Sequence, residues 1–130
     1  MERDKLSIKS LGASLQPPGI KRLTLDNILN RIISLNHAWK IAREDFGAKN
    51  NITTALRRQK ASWQASLLRY YPDAAYFKKD EDNVDGEVLL SVRLSTPIPV
   101  DGSLKKDAEH MPLRIAEELF TPEELKSLIR

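Results

Sequence analysis

Five cations concentrated in one stretch, Lys49, Arg57, Arg58, Lys60 and Arg69, are the residues whose type and spacing could do chemistry in this chain. The chemistry is neutralisation of phosphate, which supplies most non-specific affinity for nucleic acid. Between Lys21 and Lys79 there are twelve Lys/Arg against four Asp/Glu, interleaved with Trp39, Trp63, Tyr70, Tyr71 and Tyr76, whose aromatic faces could stack on bases. Arg58, Ser62, Ala65 and Arg69 recur at i, i+4, i+7 and i+11, a stripe whose small residues would let a helix backbone approach a groove. On this reading Arg58→Glu with Arg69→Glu abolishes binding. The same aromatics are also the natural core of two helices, and Arg57 and Arg58 point about 100° apart, which spreads the charge.

The charge is divided along the chain. Residues 1–79 carry fifteen Lys/Arg and six Asp/Glu, and residues 80–130 carry six and twelve, so the net +3 hides a dipolar molecule. Such a field favours an anionic partner at one end, or a second copy packed head to tail. The competing expectation is a protein–protein adaptor or assembly subunit without nucleic-acid binding, in which an acidic partner, or the chain's own acidic half, covers the basic helices.

Catalytic and metal-binding patterns are missing. There is no Gly-x-Ser-x-Gly, Gly-x-x-x-x-Gly-Lys, Gly-x-Gly-x-x-Gly or His-Glu-x-x-His, and five isolated glycines build no phosphate cradle. Zero cysteines remove disulfides and thiolate metal sites. His37 and His110 are the only imidazoles, and Asp107 with His110 gives two ligands where zinc needs three or four. The acidic run Asp80–Glu87 fails as a calcium loop: Val84 stands at the third ligand position and Ser91 where the bidentate Glu belongs. Pro72-Asp73 ahead of Glu87 has the outline of a nuclease metal site, but Leu89 occupies the place of its lysine. The expectation is a non-enzyme without cofactor or metal, cytoplasmic, with no membrane span and no signal peptide.

The elements that must position the cations follow from periodicity. Residues 1–20, broken by Gln16-Pro17-Pro18-Gly19, read as a flexible arm, and 21–130 as a single α+β domain. Thr24 caps a helix over 24–46 whose apolar face is Leu25, Ile28, Leu29, Ile32, Leu35, Trp39 and Phe46, with Asn36-His37 as a candidate break. A second helix spans 52–71, with Ile52, Leu56, Trp63, Leu67 and Tyr70 inward, and stops at Pro72. The segment Ala42–Leu56 has the cadence of a helix-turn-helix. A β-hairpin follows: Ala75–Phe77, an acidic loop at Asp80–Gly86, and Glu87–Leu94, ended by Pro97 and Pro99. Asp101-Gly102 is a turn, and residues 112–130 form two short helices, the second opened by a capping box at Thr121-Pro122-Glu123-Glu124. The expected fold is α+β: two N-terminal amphipathic helices, a two- or three-stranded antiparallel sheet, and two short C-terminal helices, with Trp39, Trp63, Leu67, Leu90 and Val92 in the core.

Overall fold

A computed structural model describes residues 24–80 and 86–130. The arm at 1–20 and most of the acidic loop lie outside the described residues. The elements are α1 (Leu25–Phe46), α2 (Asn51–Tyr70), β1 (Ala75–Lys79), β2 (Leu89–Val100), β3 (Ser103–Pro112), α3 (Leu113–Leu119) and α4 (Pro122–Leu128). The α+β architecture expected from the sequence is what folds.

Local chemistry sets the helix ends. Thr24 Oγ1 accepts the Asn27 N–H at 3.2 Å and Asn50 Oδ1 accepts the Ile52 N–H at 2.8 Å, each satisfying an orphan donor of the first turn. Gly47, at φ 95°, closes α1 in a conformation costly for a residue with a side chain. Asn36-His37 does not break α1, because Asn36 spends its side chain on a tertiary partner rather than on its own backbone. At α4 both halves of the capping box are formed: Glu124 N–H donates to Thr121 Oγ1 and Thr121 N–H to Glu124 Oε1. Thr121→Ala is expected to cost about 1 kcal/mol in denaturant unfolding.

The sheet is an antiparallel meander in the order β1-β2-β3. Pro97 and Pro99 do not end β2, which continues to Val100. Pairing with β1 stops at Ala75↔Leu94, so beyond that point β2 is an edge strand and tolerates prolines. β2 places four residues between its pairs Arg93↔Asp107 and Ile98↔Lys105 where β3 places one, and the surplus bulges out between Arg93 and Ile98. Asp101 (φ 50°) and Gly102 (φ 81°) form the two-residue turn of a β2–β3 hairpin, both in the left-handed region such turns require. Arg130 N–H donates to Phe77 O on the outer side of β1.

One core joins the layers. Ile28 and Ile32 of α1, Leu67 and Leu68 of α2, Phe77, Leu90, Val92, Met111, Ile115 and Phe120 are buried together, with Phe77 and Phe120 edge to face at 5.7 Å. Leu67, Leu90 and Val92 sit there as expected, whereas Trp63 is only partly buried against the cluster and Trp39 lies half-buried outside it. Phe46, Ile52 and Tyr70, assigned inward from the helical wheel, are exposed. The reason is that α2 is packed on several sides, touching α1, β1, β3 and α3, and so buries a broader and more polar face than a simple amphipathic helix.

Candidate anion-binding site

Asn36–Lys60, Trp39–Arg57 and Arg31–Trp63 contacts follow one another down α1 and α2, so the two helices run antiparallel over several turns. A DNA-binding helix-turn-helix crosses at a steep angle instead, and the Ala42–Leu56 cadence belongs here to an αα-hairpin.

Within this hairpin α2 turns an unusual face inward. Thr53, Arg57, Lys60 and Gln64 recur at i, i+4, i+7 and i+11, and Thr53, Lys60 and Gln64 are 2% exposed or less. Opposite them α1 brings Asn36, Trp39 and Arg43. Lys60 Nζ donates to Asn36 Oδ1 at 2.9 Å and lies 4.6 Å from the centroid of the Trp39 ring. The guanidinium carbons of Arg43 and Arg57 lie 4.6 and 5.0 Å from the same centroid. Three cationic groups therefore converge on one indole, whose π quadrupole attracts each of them, while they repel one another.

Carboxylates border the cluster without neutralising it. Glu87 bridges Arg57, at 3.2 Å, and Arg114. Although burial works the other way, the hydrogen bond from Arg114 and the charge of Arg57 hold Glu87 below the usual carboxylate range. Glu109, at φ 67°, sits in a bulge of β3, where two residues separate Asp107 from His110 opposite one, Val92, of β2. Asp107 Oδ1 accepts the Glu109 N–H at 3.0 Å, and buried Gln64 Nε2 donates to the flanking carbonyls of Ala108 and His110. The strained backbone is thus pinned from two sides. Glu109 is taken by Lys105 at 2.7 Å and reaches Lys60 only through its longer-range field. Neither Arg43 nor Lys60 has an ion-pair partner among the described residues.

The consequences show in the protonation equilibria. Burial pushes the Lys60 ammonium down to about 8, and the charges of Arg57, Lys40 and Arg43 add to it, against a pull from Glu109. Burial likewise lowers Arg57, Glu87 opposing it and Arg114 and Arg43 reinforcing it. Among the described residues Arg57 Nε–H is buried without an acceptor, Gln64 Oε1 without a donor and Thr53 Oγ1 without a partner; these unsatisfied side-chain atoms all belong to the one inward stripe of α2.

The other sequence candidates lie elsewhere. Arg58 pairs with Glu118 of α3 at 2.9 Å. Arg69 pairs with Glu124 at 3.2 Å, donates to Leu119 O at 2.6 Å and stacks over Phe120 at 4.7 Å. Ala65 between them is buried. The Arg58/Arg69 stripe is therefore a seam to the acidic C-terminal helices, and Lys49 stands exposed in the turn between α1 and α2. Of the five candidates the structure brings together Arg57 and Lys60. Sequence reasoning missed Arg43, Trp39 as their centre and Asn36 as the anchor of Lys60. The usable signal was that Asn36/Trp39/Arg43 and Arg57/Lys60 become level once the turn at Gly47–Asn50 sets an antiparallel register.

Elsewhere His110 Nε2 faces Asp80 at 3.2 Å, not Asp107, and no group of three potential ligands gathers among the described residues. No helix among the described residues is long and apolar enough to cross a membrane. No family model, curated protein or solved structure matches the chain, so the site stands on its own geometry.

Proposed function

We propose that this chain is a small non-catalytic accessory or regulatory protein, acting in the cytoplasm, that binds nucleic acid through the cationic face of its helical hairpin. The observation that carries this reading is the convergence of Arg43, Arg57 and Lys60 on Trp39, with Arg43 and Lys60 lacking carboxylate partners among the described residues. Clustered like charges in a half-buried seam cost folding free energy, and a bound anion recovers it.

Fluorescence anisotropy against labelled single-stranded DNA, duplex DNA and RNA tests the proposal. With two or three cations engaged, affinity is expected to fall roughly 10- to 40-fold between ~50 and ~200 mM salt. No binding at the lower salt contradicts it. Arg58→Ala and Arg69→Ala are expected to lower thermal stability by loosening the C-terminal seam, while leaving that affinity within about twofold, because exposed pairs contribute little beyond their own contact.

A protein partner is the second reading. It is favoured by exposed Phe46 and Ile52, which flank Lys49 at the hairpin tip.

A further inference from the structure

The geometry points to a terminal phosphate monoester of a nucleic-acid strand, rather than the diester backbone, as the group this site takes. The inference rests on the nucleic-acid reading above and narrows it.

The densest positive charge on the hairpin is arranged as a point. A protein that follows a backbone needs cations spread along a groove to meet successive phosphates. Here Arg58 and Arg69, which extend along α2, are taken by Glu118 and Glu124. Arg31 lies over Trp63 and Lys49 stands in the turn, and the densest charge is three cationic groups within 5.0 Å of one ring centroid, with Lys40 nearby. The charge matches a dianion as well. Arg43 and Lys60 are the two members of the cluster with no carboxylate partner among the described residues, and Arg57 shares Glu87 with Arg114. A monoester carries close to two negative charges at neutral pH, and a diester one. Its additional terminal oxygen also offers an acceptor to the guanidinium donors at the rim.

Access fixes the roles. Arg43 and Arg57 are partly exposed and form the rim, while Lys60, 2% exposed, lies beneath as a fixed charge held by Asn36. Trp39 is already lined by these cations, so it orders them and is not open for base stacking. The site should therefore sense the strand end without regard to base sequence.

The experiment compares one short single-stranded oligonucleotide with a 5′-phosphate, the same strand with a 5′-hydroxyl, and inorganic phosphate as competitor, using the full chain. The phosphorylated strand is expected to bind about tenfold tighter than the hydroxyl strand. Arg43→Gln is expected to erase that difference with the circular dichroism spectrum and melting temperature retained. Equal binding of the two strands overturns the end-specific inference and leaves the nucleic-acid reading standing. Binding of neither strand overturns both. Inorganic phosphate binding as tightly as the phosphorylated strand shows that the strand contributes nothing, and overturns the assignment to nucleic acid.

Discussion

Replacing Arg43 by Glu is expected to weaken oligonucleotide binding by at least about a hundredfold, with little change in folding stability. A phosphate ~5 Å from a guanidinium gains roughly 3 kcal/mol at an effective dielectric of about 20. Reversal removes that attraction and adds a repulsion, and even after solvent screening about two orders of magnitude survive. The fold responds differently. A carboxylate at position 43 faces Arg57 and Lys60 and relieves their repulsion, whereas its place in the last turn of α1 sets it against the helix dipole by roughly 0.3–1 kcal/mol. The two effects oppose each other. Anisotropy and thermal melting on the same preparation check the prediction, and a variant that melted early would show Arg43 to be a structural residue.

The second large effect concerns Lys60 and has a definite pH signature. Its ammonium is faced by Asn36, Trp39, Lys40 and Arg43 from α1, by Arg57 on α2 and by Glu109 from β3. Folding lowers its pKa from 10.5 to about 8, so the folded protein holds that proton less tightly than the unfolded chain. Below about 8 both states are charged and the fold bears the full penalty, about 3 kcal/mol at ~1.4 kcal/mol per pH unit. Between there and 10.5 the unfolded chain binds more protons, and stability rises with pH. Lys60→Met should be more stable than the parent at pH 7 by about 1–2 kcal/mol, the gain being reduced because Asn36 Oδ1 loses its donor. The advantage should vanish at about pH 9 and reverse by about pH 10.5, since the variant lacks the titrating group. Denaturant unfolding of both proteins from pH 7 to 10.5 gives the difference directly. An anion bound above Lys60 favours its charged form, so affinity should fall as pH rises through about 8 and binding should take up a proton. A residue that destabilises the fold and strengthens ligand binding is one the fold retains for the ligand.

The architecture was largely legible in the sequence, because its signals are local. Thr24, Gly47, Pro72 and the Thr121–Glu124 box each satisfy or deny backbone hydrogen bonds within a few residues, and all act as their types suggest. β3 was harder to see. Lys105, Lys106, Asp107 and Glu109 make a charged strand, and the bulge at Glu109 shifts its alternation of inward and outward residues. The prolines of β2 misled for a related reason, since only the sheet order shows that its second half lacks a neighbour on one side.

The candidate site was half legible. Arg57 and Lys60 stood out by charge, but a helical wheel sends charge outward and assigns the inward face by large apolar residues such as Ile52 and Tyr70. In the fold those two are exposed while Thr53, Lys60 and Gln64 are buried. Arg57 and Arg58 differ by one position and about 100° of rotation, and that step separates a buried cationic cluster from a surface seam. What decides between them is which neighbour packs where: α1 and the β3 bulge on one side, the acidic α3 and α4 on the other.

The most direct test of the account is a ¹H–¹⁵N NMR titration of the full chain with a 5′-phosphorylated oligonucleotide, following the indole N–H of Trp39 and the guanidinium Nε–H groups. Trp39, Arg43 and Arg57 resonances are expected to move together along one saturating curve, while those of Arg58 and Arg69 stay in place. Movement confined to Arg58 and Arg69, or no movement at all at low salt, would contradict an anion site built around Trp39.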